Sequence, residues 1–465
     1  MKNLALLIIL TASACHNFKD QSPLLSPAEG ASNALLLDST WFRNQDLACR
    51  QSVKEFYASR DFSLYWRGFT PAADSLTQIL QRVNRFGLIP QDYHLNEIEK
   101  LLKDTLSTDR VSRLDVLLTD SYLTLHAHIR RGRLDPKTLQ RLDLSSAPDA
   151  EAIADLQNIR NTPIGGHLQS LEPEGVQYHQ LKNALQSFEL LGKDDAIQRN
   201  RAVQISLNLE RWRWQKPWPD RYVLVNIPSF LLHVVENDSL WLESKVIVGK
   251  RETPTPVLES VIQSFIIYPY WHAPFSISTR EILPALQADA SYLQKNNFEV
   301  LNTGGTVINP DTIQWRLYSA DEFPFILRQR EGSENSMGII KFNFANNYGV
   351  YLHDTNSKRL YQRAHRDLSH GCVRVGQAVA LAHYLVREDD IYVSPEDLDQ
   401  YLSLQQRLKI ELRKPIPLKL EYFTAEVKNG VTFFYDDIYR KDSVMMESLY
   451  NPMPAHIPSV EKPVF

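Results

Sequence analysis

The residues best suited to chemistry lie in two short stretches, GVYLHDTN (349–356) and RDLSHGCVRV (366–375). The second sets Cys372 directly after Ser369, His370 and Gly371, in a chain of 465 residues that holds only three cysteines. A thiolate is the nucleophilic form of cysteine, so a partner must take its proton or lower its pKa. Among 13 histidines, His353, His365 and His370 are nearest along the chain. His370 would share a face with Cys372 if the segment were extended. His353 ends an alternating, strand-like run, far enough away for a loop to return to a neighbouring strand. Gly371 frees the backbone beside the cysteine, so that peptide N–H groups can approach a substrate carbonyl and its developing oxyanion.

Blander readings compete. A lone cysteine is usually a small buried residue, and Cys372 could pair with Cys49 in an oxidising compartment. Two histidines and a cysteine could hold zinc, but no fourth ligand stands at a customary spacing. Asp354, the immediate neighbour of His353, is poorly placed to orient that ring and suits a turn or cap. His126 and His128 face different sides of a helix and make no metal site by themselves. No metal and no cofactor is expected.

The surrounding elements follow from composition and period. With 43% hydrophobic and 23% charged residues the chain reads as globular, and its length asks for two or three domains. A formal net charge of −4 gives no reason to expect nucleic-acid binding. Lys2, the apolar run Leu4–Leu10 and Ala12-Ser13-Ala14 before Cys15 read as an export signal over residues 1–14. Cys15 is also placed as the lipidated first residue of a bacterial lipoprotein, with ordinary cleavage as the competing reading. The expectation is an exported, periplasmic protein of a Gram-negative bacterium, membrane-anchored through Cys15. A polar linker (15–39) is followed by a helical domain (40–195), with Leu76, Ile79, Leu80 and Val83 at helical spacing and a stop at Gly87 and Pro90. From about residue 200 the runs become β-like, giving a domain over 200–445 and a tail over 446–465. PEDLDQYLSLQQRLKIEL reads as helix, and Asn429-Gly430 marks a hairpin. The fold class is α+β: a helical N-terminal domain, then a β-rich mixed sheet of sandwich or barrel type with a few helices.

The segment VYLHDTNSKRLYQRAHRDLSHGCVRV resembles the signature of bacterial L,D-transpeptidases with a YkuD-type catalytic domain. His353, Ser369, His370, Gly371, Cys372 and Arg374 match position by position. NLERWRW, VIVGKRETPTPV, YPYWHAPFSISTREILP and MGIIKFNFAN are similar to the larger YcbB-like branch, and FYASRDFSLYW and FGLIPQDYHL to its scaffold domain. The small peptidoglycan-binding module common in that branch has no room after Leu191. The final hairpin resembles strands that complete the catalytic sheet.

The resemblance implies a two-step acyl transfer on peptidoglycan stem peptides. His353 takes the thiol proton, its other ring nitrogen held by a main-chain carbonyl such as that of Asp354. Cys372 attacks the bond before the terminal D-Ala of a tetrapeptide donor, and a diamino-acid amine of a second stem resolves the thioester into a 3→3 cross-link. Amides near Gly371 and Cys372, shaped by Ser369 and His370, would hold the oxyanion. Arg374 is either a carboxylate anchor or a structural ion pair. Tyr351 and Trp271 either line the pocket or pack in the core. Carbapenem acylation of Cys372 is implied as well, as are wall-synthesis protein partners. Water or a protein amine as acceptor, and a non-catalytic wall-binding protein, remain alternatives.

Overall fold

The computed structural model describes residues 46–66, 70–103, 107–159, 163–192, 195–389 and 393–450. The expected signal peptide, the whole expected linker with Cys15, the first residues of the expected helical domain and most of the expected tail lie outside the described residues. The chain divides into two compact units, residues 1–131 with 142–172, and residues 132–141 with 173–465.

The first unit is helical: α1 (Arg50–Ala58), α2 (Thr70–Leu80), α3 (Leu95–Lys103), α4 (Thr108–Arg131), α5 (Ala150–Asn158) and α6 (Ile164–Ser170). Its spine is α4, buried on every side from Leu114 to Ile129. A helix so enclosed must satisfy its own polar side chains. Asp115 accepts the Tyr57 hydroxyl at 2.6 Å and the backbone amides of Tyr65 and Trp66. Asp120 accepts the Cys49 amide at 2.8 Å. Cys49 and Cys372 are both free thiols. Burial pushes the Cys49 thiol up to about 12, so it is an inert core residue. The expected stop after α2 is present, with Gly87 in the left-handed region at φ 69°.

The second unit begins with α7 (Val176–Leu191) and α8 (Ala196–Arg213). The expected helical domain ran to 195, whereas the second compact unit takes up the chain from 173. Tyr178, Leu181 and Leu185 of α7 share a core with Ile205, Leu209 and Trp212 of α8 and with Phe423, Ala425 and Val427. NLERWRW is the end of α8, so strand structure starts only at Arg221.

The strands are β1 (Arg221–Asn226), β2 (Leu231–Glu236), β3 (Ser239–Gly249), β4 (Leu258–Ile267), β5 (Trp271–His272), β6 (Phe298–Leu301), β7 (Val307–Ile308), β8 (Ile326–Gln329), β9 (Ile340–Phe344), β10 (Leu352–His353), β11 (Asp367–Ser369), β12 (Val373–Val375), β13 (Leu408–Glu421), β14 (Ala425–Lys428) and β15 (Val431–Phe434). The main sheet runs β11-β3-β12-β10-β9-β4-β13-β1-β2, and β2 also pairs with β3. That pairing closes eight strands into a barrel-like ring, which removes exposed edges. The sheet is mixed, since β10 lies parallel to β12 and β1 parallel to β13.

Two sequence expectations differ from this sheet. The stretch RLKIEL belongs to β13, not to a helix: Ile410 and Leu412 are buried alternately, at strand period, after α13 (Pro395–Ser403) has ended. The hairpin at Asn429-Gly430 forms, with φ of 51° and 75°. It makes a separate two-stranded sheet packed on α7 and α8, and β13 completes the main sheet instead. The expected tail from 446 still belongs to the helix α14 (Lys441–Tyr450), whose Met445 and Leu449 are buried.

Candidate active site

Strand register brings the chemistry to one face. Leu352 pairs with Val373 and with Phe342, and all three lie in the barrel core. Side chains alternate along a strand and paired residues point the same way. Tyr351, His353, Cys372, Arg374 and Lys341 therefore share the opposite face. The first four of these line a cleft of about 770 Å³. Its other wall is an insertion between β4 and β9, in which β5, β8, β6 and β7 form a small sheet with its own core. A π-turn, Ser278–Ile282, leads from that wall toward the cysteine; such turns are frequent at functional sites.

Around the cysteine the backbone is tightly held. Gly371 adopts φ 113°, a region open chiefly to glycine. The Ser369 hydroxyl donates to the Cys372 carbonyl at 2.5 Å and accepts the Gly371 amide at 3.2 Å. Thr255 Oγ1 donates to the Gly371 carbonyl at 2.8 Å and accepts the Gly249 amide at 2.8 Å. The Gly371 amide, expected beside the oxyanion, donates to Ser369 here. The Cys372 amide has no hydrogen-bond partner among the described residues.

Burial raises the Cys372 thiol pKa, opposed by hydrogen bonds from the Tyr351 amide and phenol and by the charges of Lys341 and Arg374. Trp271 and Tyr351 line the same cleft as the sulfur. Lys341 sits 4.3 Å over the Tyr351 ring.

His353 is buried, and burial together with the Arg374 charge pushes its pKa down to about 3. Backbone carbonyls of Asp354 and Met337 act in the other direction. Its Nδ1 is buried without a hydrogen-bond partner among the described residues. The imidazole is neutral near pH 7. The Asp354 carboxylate turns away from the ring: it accepts the Ile339 amide at 3.1 Å and pairs with Lys358. That is the turn role expected of it, made possible by Gly338, where a Cβ would sit 2.3 Å from Asp354 Oδ2.

His370 does not join the thiol. Gly371 breaks the extended path, and His370 instead pairs with Glu281 at 2.6 Å from the π-turn. Arg374 makes no ion pair among the described residues, and its Nε is buried without a partner, so the structural salt bridge finds no support. Sequence reasoning missed Lys341, Thr255, Gly249 and Glu281. Only Lys341 carried a readable signal, a lysine alternating with the buried Ile340, Phe342 and Phe344.

A family model described as L,D-transpeptidase catalytic domain matches residues 220–393, and one described as Scaffold domain matches residues 51–185. A Haemophilus influenzae protein named "Putative L,D-transpeptidase" is 32% identical over 289 residues, 62% of this chain. The match spans 57% of that relative's length. The solved catalytic domain of an E. faecium L,D-transpeptidase acylated by ertapenem is 14% identical, covering 44% of this chain and 100% of that one at a TM-score of 0.20. An L,D-transpeptidase from Mycobacterium smegmatis is 12% identical, covering 43% and 58% at 0.20. The chain thus matches an L,D-transpeptidase catalytic-domain model over residues 220–393, after a scaffold-domain match over residues 51–185.

Proposed function

We propose that the protein forms 3→3 cross-links between peptidoglycan stem peptides through a Cys372 thioester. The observation that carries this reading is the shared face of β10 and β12, with Cys372 and the neutral imidazole of His353 on one cleft floor. His353 takes the thiol proton as the sulfur attacks the carbonyl before the terminal D-Ala. The Cys372 amide donates to the oxyanion, and the Tyr351 phenol and Lys341 offset the charge on the thiolate. The C–N bond breaks, the proton on His353 passes to the leaving amine, and D-Ala departs. A second stem's amine then attacks the thioester, loses a proton to His353 and releases the thiolate, which recovers that proton.

Arg374, a guanidinium on the cleft with no counter-ion among the described residues, suits a stem carboxylate. Glu334 lies on the same cleft, and its carboxylate favours a cationic amine over water as acceptor. Export and anchoring through a lipidated Cys15 complete the proposal, and labelled palmitate on Cys15→Ala tests them. Incubation with tetrapeptide muropeptides, with products identified by mass, tests the reaction. Cross-linked dimers with release of D-Ala are expected; a Cys372→Ala chain that still forms them refutes the nucleophile. Hydrolysed tripeptide alone makes water the acceptor.

A further inference from the structure

Three side chains that acyl transfer does not use converge in the first unit. His126 on α4, Asp155 on α5 and His167 on α6 each offer one ligand atom, and these atoms lie within 4.8 Å of one another. His126 Nε2 is 2.9 Å and His167 Nε2 is 3.4 Å from the same oxygen, Asp155 Oδ2. Two ligand atoms on a tetrahedral zinc ion, each about 2.05 Å from the metal, stand roughly 3.3 Å apart. The two spacings to Asp155 bracket that value.

Hydrogen bonding alone accounts for the cluster poorly. His167 Nε2, although it faces the carboxylate, has no hydrogen-bond partner among the described residues. The Tyr122 hydroxyl is buried without one as well. Its ring centroid lies 6.2 Å from that of His126 and 6.5 Å from that of His167. Two imidazoles and a carboxylate from three helices therefore meet beside an unsatisfied phenol. His126 is fully enclosed, while His167 and Asp155 are partly exposed, which leaves a path from solvent.

We propose that His126, Asp155 and His167 bind a divalent transition metal of the zinc class, with the fourth position open to water beside the Tyr122 hydroxyl. Imidazole and carboxylate ligands suit zinc over magnesium or calcium, which prefer all-oxygen shells. The ligands come from three helices 29 and 12 positions apart in sequence (126 to 155, 155 to 167), so the ion would tie α5 and α6 to the spine helix. No spacing in the sequence advertises such a site, since only the fold brings the three together.

The test uses the tag-free chain carrying Cys372→Ala, so that the active-site thiol cannot hold metal. Equilibrium dialysis against zinc, with metal counted by mass spectrometry, is expected to leave about one ion per chain. Cobalt substituted for zinc should give visible absorption bands, and added zinc should raise the melting temperature. Asp155→Asn and His167→Ala, both at partly exposed positions, should each lower zinc affinity tenfold or more and abolish the zinc-dependent rise in melting. Each variant's circular dichroism without metal confirms that it is folded. Absence of zinc uptake by the parent overturns the proposal, as does uptake that both folded variants retain. Neither outcome bears on the acyl-transfer reading.

Discussion

Ser369 and Cys372 are joined by a hydrogen bond from the Ser369 hydroxyl to the Cys372 carbonyl at 2.5 Å. The same oxygen accepts the Gly371 amide, so one buried hydroxyl ties both ends of the turn that aims the sulfur.

Ser369→Ala removes that tie and orphans a buried amide and a carbonyl. Leaving such groups unsatisfied costs about 1–3 kcal/mol. Kinetics on muropeptides should show kcat/KM lowered roughly tenfold or more, with KM changed less than kcat, because the turn positions the nucleophile and does not bind substrate. Ser369→Thr, which keeps the hydroxyl, should recover most of the loss. An unchanged kcat in the alanine variant would remove Ser369 from the positioning of Cys372.

The thiol and the imidazole set opposite pH signatures. Cys372 has its pKa raised by burial, so its thiolate fraction at pH 7 is lower than that of a free cysteine. Alkylation by iodoacetamide should be slow at pH 7 and accelerate as pH rises through the alkaline range. His353, held down to about 3, should give no inflection near 6.5 in that profile. An inflection near 6.5 that vanishes in His353→Gln would mean a thiolate–imidazolium pair in the resting enzyme. Stability has its own sign. The unfolded histidine binds a proton below about 6.5 and the folded one only below about 3, so the unfolded state takes up more protons between them. The contribution of His353 to stability is complete above 6.5 and is lost as pH falls toward 3. Chemical denaturation across that window should show a smaller pH slope in His353→Gln.

Arg374 is a half-buried cation whose Nε is enclosed, with no ion-pair partner among the described residues, and desolvation lowers its pKa. Partly burying an unpaired charge is costly, and a carboxylate of the substrate would offset that cost. Arg374→Met, similar in volume and apolar, should raise the melting temperature while lowering kcat/KM at least tenfold, the size of a lost charged hydrogen bond at about 1.5–3 kcal/mol. Arg374→Met that both melts lower and keeps full activity would contradict the anchor role.

The legible parts of this molecule were those written in local residue types. That His353 and Cys372 could share a cleft was readable because the loop between them returns the chain to a neighbouring parallel strand. Gly371 takes a positive φ, and His370 pairs with Glu281. Alternation also marked Lys341, whose place beside the thiol depends on β9 lying next to β10. What local pattern could not carry was tertiary. RLKIEL is too short for its period of two to separate it from helix, and α7 looks like any scaffold helix until its apolar face is seen against Phe423 and Ala425. The His126, Asp155 and His167 cluster has no sequence period at all.

Gly249 is the least conspicuous of the residues around the nucleophile and offers the sharpest structural test. A Cβ there would lie 2.2 Å from the Thr253 carbonyl oxygen, 2.7 Å from the Thr255 amide nitrogen and 3.0 Å from the Gly371 Cα. All three are backbone atoms and cannot swing aside. At Gly371 the space is open, the nearest atoms lying at 3.7 Å, and the obstacle is the φ of 113°. The two glycines should therefore fail differently on substitution by alanine. Gly371→Ala imposes strain of order 1–3 kcal/mol confined to the turn, so the chain should fold, melt a few degrees lower and lose activity by tenfold or more. Gly249→Ala pushes the turn at 253–255 away from the end of β3 and breaks the Thr255 bridge between the Gly249 amide and the Gly371 carbonyl. Its melting temperature should fall further than that of Gly371→Ala. A second change, Thr255→Ala, should cost less in the Gly249→Ala background than in the native chain, because the bridge is already broken. Full additivity of the two changes would show that the bridge survives and that Gly249 acts only through packing.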